Sequence, residues 1–286
     1  MLERPVSETS IGFVGLGTMG MPMAKNAIKA GFDVTGFDLR EEILAAFVEA
    51  GGDRTDSLAA LATECAIVSV IVQDDDQVKN VVAGPDGVFD HCGDETLVLI
   101  HSTIHPETPE QLAETAPGNV TVLDAPVSGT RTRAESADLA FMVGGDEQAL
   151  DYVRPYLDSM GANVHAMGDV GSGEVAKIAN NLVGISNMMT TAEGVALGTE
   201  WGLDQKDLLA VMAESSADSF VLENWEWLTD GWDDVQPGGW DGVAHICQKD
   251  LLLALDLAES VDLPVPGTAV ASQEVPAFFR GLTDEG

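Results

Sequence analysis

A lysine and an asparagine four residues apart carry the clearest chemistry in this chain. They stand in Gly168-Asp-Val-Gly171-Ser-Gly173-Glu-Val-Ala-Lys177-Ile-Ala-Asn180-Asn181. The glycines read as the entry to a helix beginning near Ser172, and in that helix Lys177 and Asn181 are stacked neighbours at i and i+4. A lysine there can hold and pass a proton at a substrate hydroxyl, and the asparagine can fix that hydroxyl's orientation. The competing reading is an ordinary surface lysine on an amphipathic helix. Two observations weigh against it. The chain has only 13 Lys and Arg in 286 residues, and a phosphate-cradling motif stands near its N-terminus.

That motif is Gly15-Leu16-Gly17-Thr18-Met19-Gly20, placed after a strand-like run and before a helical one. Gly15 permits the tight turn, Gly17 lets the backbone approach a pyrophosphate, and Gly20 lets helix pack on strand. The helix N-terminus then offers N–H groups and partial positive charge. Asp38 lies at the end of the next strand, about 20 residues on, where an acid bonds ribose hydroxyls. A carboxylate repels a 2′-phosphate, so NAD is favoured; Arg40, two residues later, keeps NADP open. A second turn, Asp124-Ala-Pro126-Val-Ser128-Gly129, ends another strand. Ligands of open α/β sheets bind beyond the carboxyl ends of strands, so Ser128 and Gly129 can offer a hydroxyl and N–H groups to a carboxylate. Alone, it reads as a structural turn.

The elements that must position these groups alternate through the first half. Ile11–Leu16, Asp33–Phe37, Ala66–Val72, Leu97–His101 and Val120–Ala125 read as strands. Met19–Ala30, Glu41–Ala50, Asp74–Val82 and Pro106–Thr115 read as helices. This rhythm predicts a mostly parallel sheet covered on both faces. Leu139–Val143 and Val164–Met167 are expected as edge strands around a helix Glu147–Ser159. Beyond Gly173 the pattern turns helical. One long helix runs Ser172–Trp201, with Gly184, Gly194 and Gly198 permitting close packing on another helix. Further helices are expected at Asp204–Glu214, Ser219–Thr229 and Val243–Val261, and after Pro266 with a bend at Pro276. The aromatics of the Trp225–Trp240 stretch read as packing residues. Two domains follow, residues 1–171 and 172–286.

Composition narrows the partners. Forty-eight acids against 13 bases give a net charge of −35 and a pI near 4.1. Nucleic acid is excluded for want of clustered cations, and an anionic membrane surface is disfavoured. The acids are dispersed, from Asp53 and Asp56 through Asp74-Asp75-Asp76 and Asp233-Asp234 to Asp284-Glu285. That distribution reads as a surface adapted to molar salt, where screening over roughly 3 Å tames self-repulsion. Cys65, Cys92 and Cys247 are odd in number and widely spaced, which fits a reduced cytosol. The N-terminal run is polar, with no apolar signal region, and no apolar run is long enough to span a bilayer. The five histidines show no metal spacing, so no metal is expected.

In order, four motifs resemble the β-hydroxyacid dehydrogenase family, which includes 3-hydroxyisobutyrate dehydrogenase. They are the glycine loop continuing into Met-Pro-Met-Ala-Lys-Asn, the Asp124–Gly129 turn, the Gly171–Asn181 segment, and Lys249-Asp250-Leu-Leu-Leu-Ala. The resemblance implies an N-terminal doubly wound Rossmann α/β domain and an all-α C-terminal domain joined by a long helix. It implies hydride exchange between a nicotinamide and a hydroxyl-bearing carbon. Lys177 would be the general acid/base and Asn181 would position the substrate. Ser128 and Gly129 would hold the carboxylate, and Lys249 would reach toward the nicotinamide. Ser102 and Thr103, in Ser102-Thr103-Ile-His-Pro106, resemble the family's loop near the nicotinamide. Homodimers or homotetramers are usual.

The chain departs from the pattern at the substrate turn. Thr130 replaces a second glycine, and Arg131 and Arg133 add charge nearby. Two readings stand: surface arginines offsetting local acid, or partners of a second anionic group, for which arginine's planar fork is suited. Sulfolactaldehyde reductases resemble this chain at Ser102–Pro106 and at Thr130, which admits a C3 sulfonate or aldonate beside a simple β-hydroxy acid. An imine reductase-like relative and a non-catalytic dinucleotide-binding module are further readings, and Lys177 argues against both.

Overall fold

The computed structural model describes residues 5–93, 95–234 and 236–283; the first four residues and Asp284-Glu285 lie outside them. Nine strands are present among the described residues: β1 Ile11–Val14, β2 Val34–Phe37, β3 Asp53–Arg54, β4 Ile67–Val70, β5 Thr96–Ile100, β6 Val120–Asp124, β7 Val127–Ser128, β8 Leu139–Gly144 and β9 Gly161–Gly168. They form one sheet in the order β3-β2-β1-β4-β5-β6-β8-β7, with β9 paired to β8. From β3 to β6 every pairing is parallel. Parallel neighbours need a crossover, and the helices Gly20–Lys29, Glu41–Glu49, Leu58–Glu64, Asp75–Ala83 and Glu107–Thr115 supply it. Side chains alternate between faces along each strand. Ile11, Phe13, Ile67, Leu97 and Leu99 therefore join one buried cluster, while Val14, Val68, Val70, Val98 and Ile100 join another. The sheet is covered on both faces, as the apolar runs predict.

Beyond β6 the sheet becomes mixed. β8 is antiparallel to β6 and β7 and parallel to β9. The expectation that Leu139–Val143 is an edge strand is corrected: β8 is flanked on both sides, and its residues alternate buried and half-buried from Leu139 to Met142 before two buried ones. β9, largely exposed along its length, occupies the edge. Two short features have no apolar run to announce them. They are β3, whose pairing with β2 supplies what its sequence lacks, and the helix Arg131–Glu135 after β7.

The chain divides into two compact units after Lys177, within the helix Ser172–Glu200. In the second unit the helices Gln205–Ala213, Phe220–Glu223, Trp225–Asp230, Gly239–Ser260 and Pro266–Thr283 enclose Met188, Val195, Val243, Leu251, Val275 and Phe279. The predicted helix Ser219–Thr229 is two, broken at Asn224. Its side-chain amide donates to Phe220 O at 2.9 Å, competing with the helical ladder. Pro276 lies inside the last helix. Trp227 stacks on Trp232 and Trp240 on Phe279, so these aromatics pack on one another.

Candidate active site

The carboxyl ends of β1, β2, β5 and β6 share one edge of the sheet, and most first-unit candidates sit there. Gly15 turns off β1 at φ +90°, a conformation open to glycine. A Cβ on Gly20 would overlap Gly15 O, so the helix Gly20–Lys29 can close on the strand only without one. No side chain caps that helix at Met19, which leaves its N-terminal pole to a ligand. Leu16 is buried, and its N–H donates to Asp38 Oδ2 at 2.9 Å. Arg40 donates to the same carboxylate from Nε at 2.9 Å, from Nη2 at 2.9 Å and from its backbone N–H at 3.0 Å. Burial pushes the Asp38 carboxyl up, but the Arg40 guanidinium and the two backbone N–H groups outweigh it and hold it below the usual range. Asp38 thus braces the glycine loop from the end of β2, while Arg40 folds over it.

At the end of β5, Ser102 is buried, and its Oγ accepts from Val72 N at 2.8 Å. Thr103 follows, half-buried. At the end of β6, Asp124 is wholly buried. Its Oδ1 accepts from Gly171 N at 2.7 Å and its Oδ2 from Glu174 N at 2.9 Å. The carboxylate therefore caps the helix Ser172–Glu200 from another element, satisfying N–H groups that a helix start leaves orphaned. Burial raises its pKa, and those N–H groups oppose the rise. A Cβ on Gly173 would meet Asp124 Oδ2 at 2.7 Å, so Gly173 leaves room for the carboxylate. Glu174, also wholly buried, accepts from Ile104 N at 3.2 Å, tying the Ser102–Ile104 loop to the same helix. One turn later comes Lys177, only 9% exposed. A lysine held this far from water departs from the surface reading.

Past β6, Val127–Ser128 pairs with β8 and leads into Gly129, at φ +147°. Thr130 is the N-cap of the helix Arg131–Glu135 and accepts from Arg133 N at 3.3 Å. A capping hydroxyl explains why threonine stands there. Arg131 pairs with Glu135 and Arg133 with Asp138, each at 2.9 Å, and both side chains are partly exposed.

In the second unit, Asn181 Nδ2 donates to Asp250 Oδ2 at 2.6 Å, and its Oδ1 accepts from Asn180 Nδ2 at 3.1 Å. Lys249 Nζ lies 2.8 Å from Asp250 Oδ1, and the Asp250 side chain is 5% exposed. Asn181, Lys249 and Asp250 are thus one cluster, with Asn181 four residues beyond Lys177 along the same helix.

The chain matches two family descriptions end to end: the NAD binding domain of 6-phosphogluconate dehydrogenase over residues 10–168, and the NAD-binding of NADP-dependent 3-hydroxyisobutyrate dehydrogenase over residues 171–285. A 3-hydroxyisobutyrate dehydrogenase of Pseudomonas aeruginosa is 38% identical over 92% of this chain and 90% of that protein. The chain belongs to the β-hydroxyacid dehydrogenase family. A 2-(hydroxymethyl)glutarate dehydrogenase of Eubacterium barkeri is 34% identical over 92% of this chain and 87% of its own. The crystal structure of a 3-hydroxyisobutyrate dehydrogenase from Salmonella typhimurium superposes with a TM-score of 0.82, at 28% identity, covering 94% of this chain and 93% of that one. As a β-hydroxyacid dehydrogenase, the protein is an NAD(P)-dependent oxidoreductase acting on a CH–OH group. Its first unit fits that cofactor: a helix pole without a side-chain cap, a glycine turn closed against the strand, and a carboxylate at the end of β2.

Three residues escaped the sequence reading of this dehydrogenase: Asp124 as a cap, Glu174 as a loop tie, and Asp250 as the partner of Asn181. Asp124 and Asp250 stand inside the recognisable motifs, but the distant partners that define their roles, backbone N–H groups for Asp124 and the Asn181 amide for Asp250, are set by the fold. Glu174 in a helix's first turn was the one legible signal. Among the described residues no cluster of three metal-ligating side chains occurs, and no helix is long and apolar enough to cross a membrane.

Proposed function

We propose that the enzyme interconverts a small β-hydroxy acid of the 3-hydroxyisobutyrate type and its semialdehyde or keto form, with Lys177 as general acid/base. When bound, the nicotinamide supplies the hydride acceptor or donor for the carbinol carbon. Lys177 Nζ, as the free amine, takes the hydroxyl proton during oxidation; as the ammonium it returns that proton to the carbonyl oxygen during reduction. Asn181 orients the same oxygen, and Asp250 fixes its amide. Ser128, Gly129 and Thr130 hold the carboxylate. Gly15, Leu16, Gly17, Thr18, Met19 and Gly20 cradle the pyrophosphate, Asp38 takes the adenosine ribose, and Ser102, Thr103 and Lys249 flank the nicotinamide. NAD is favoured because Asp38 is held ionised, although Arg40 already lies across it.

The observation that carries this reading is the burial of Lys177 one turn beyond a helix start capped by Asp124. A second reading, a C3 sulfonate or aldonate, rests on Arg131 and Arg133. Their pairing with Glu135 and Asp138 offsets their charge and favours the monocarboxylate. Residues 1–171 would be the cofactor domain and residues 172–286 the domain for substrate and dimer or tetramer contacts. The exposed Leu197, Trp201, Leu203 and Val211 of the second unit support such contacts. The acidic surface suits a cytoplasm of high salt, and no nucleic acid or membrane partner is implied. The test is oxidation kinetics in molar KCl with NAD and NADP separately, across 3-hydroxyisobutyrate, 3-hydroxypropionate, glycerate, threonate, sulfolactate and dihydroxypropanesulfonate. Preference for a sulfonate would overturn the monocarboxylate assignment, and no turnover at all would overturn the dehydrogenase mechanism.

A further inference from the structure

His101, at the end of β5, is buried at 2% exposure. Its Nδ1 lies 2.8 Å from Ala125 O and its Nε2 3.1 Å from Ser69 Oγ, which in turn lies 2.9 Å from Tyr156 Oη. A carbonyl only accepts, so Nδ1 carries the proton and Nε2 is bare. Ser69 must then donate to Nε2, and Tyr156 to Ser69. One proton order satisfies every group in the chain. The ring also lies between Phe13, centroids 6.4 Å apart, and Phe141, 5.7 Å. Burial holds its pKa down to about 4, so it stays neutral across the working range.

What the ring grips is specific. Ala125 is the residue after β6 and the one before Pro126, which has no N–H to extend a ladder. The Ala125 N–H is taken by Ile100 O at 2.7 Å, and its carbonyl accepts from His101 Nδ1 at 2.8 Å. From there the chain enters Val127, Ser128 and Gly129. The neighbouring Ser102 meanwhile holds Val72 N. Two consecutive residues of β5's end thus tie the loops after β4 and β6.

We propose that His101 is a positioning residue: as the neutral Nδ1–H tautomer it grips Ala125 O and sets the angle at which the Ser128–Gly129 turn leaves the sheet. The substrate consequence rests on the reading that this turn holds a carboxylate. His101→Phe keeps the aromatic packing and removes both hydrogen bonds. His101→Gln restores a donor and an acceptor. The expected result with 3-hydroxyisobutyrate is a rise in KM of about tenfold for His101→Phe, the scale of one lost buried hydrogen bond. Its kcat should change less than about threefold and its NADH affinity less than about twofold, with His101→Gln recovering most of the loss. Unchanged KM in a folded His101→Phe protein would overturn the proposal, as would KM and NADH affinity failing together. Hydrogen exchange read by mass spectrometry separates this from the dehydrogenase assignment, because it needs no turnover. Peptides covering Val127–Gly129 should exchange faster in His101→Phe while those covering Gly15–Gly20 keep their protection. Equal protection of both in the two proteins refutes the grip itself. Should His101→Phe fail to fold, Ser69→Ala, which removes the donor to Nε2 and loosens the ring that grips Ala125 O, is expected to show the same changes at smaller amplitude, and no change there refutes the proposal.

Discussion

In the first unit five polar side chains at the carboxyl edge of the sheet each bond to backbone. Asp38 holds Leu16 N, Asp124 holds Gly171 N and Glu174 N, Glu174 holds Ile104 N, Ser102 holds Val72 N, and His101 holds Ala125 O. In the second unit the corresponding contacts run between side chains: Asn181 to Asp250, Lys249 to Asp250. The difference follows from architecture. A parallel sheet leaves its carboxyl-edge loops with unpaired N–H and C=O groups, and buried polar groups there must be answered. Helices satisfy their own backbone, so what remains to orient a reacting group is a neighbouring side chain. Geometry in the first unit is set by strand register; in the second it depends on rotamers.

The sharpest way to break this comparison is at Lys177, which it places at the end of a backbone-anchored lattice. Lys177→Ala should lower kcat by about 10³-fold, within the usual span for a lost general acid/base, with NADH binding by fluorescence nearly unchanged. Equal loss of both would make the lysine a structural residue. Acid should expose the lattice next. A histidine held neutral at a pKa of about 4, against 6.5 unfolded, adds stability that is full above pH 6.5 and drains away as pH falls toward 4. Its size is on the order of 3 kcal/mol. Asp38, with its lowered pKa, adds a loss in the same sense at lower pH. Urea melts in molar KCl at pH 7.5, 6 and 5 should track the histidine contribution, and His101→Phe should flatten the curve. A wild-type curve that is already flat would remove the neutral-tautomer argument.

A paired substitution sharpens the contrast itself. Asp124→Ala should cost about 2 kcal/mol, since it strands buried N–H groups, and Asp250→Ala under about 1 kcal/mol, with its effect falling on KM. Reversed magnitudes would mean that the second unit, and not the sheet edge, is the rigid part. The smallest effect belongs to the exposed pairs. Arg131→Ala and Arg133→Ala should each change stability by about 0.5 kcal/mol or less and leave KM for a monocarboxylate within about twofold. A tenfold rise confined to sulfolactate would instead make them specificity residues.

Much of the first unit was legible because its signals are local. A glycine turn between a strand and a helix, an acid at the next strand's end and apolar runs bounded by caps each report on a few residues. The long helix and its Lys177–Asn181 spacing were legible for the same reason. The interior position of β8, the break at Asn224 and the short β3 were not, because each depends on what another segment presents to it. Arg131 and Arg133 show the boundary well: their charge is plain in sequence, but their pairing with Glu135 and Asp138 is settled by a helix that Thr130 caps.

By itself the sequence determined the class of fold, the glycine turn with an acid at the next strand's end, and the Lys177–Asn181 spacing, since period, turn chemistry and spacing are properties of neighbours along the chain. The tertiary structure alone decided that Asp124 caps the helix Ser172–Glu200, that Glu174 holds Ile104, that Asp250 bonds Asn181, and that His101 faces Ala125. Those partners lie 24 to 70 residues apart, and only the folded backbone brings such groups within hydrogen-bonding distance, where burial away from water makes each bond obligatory.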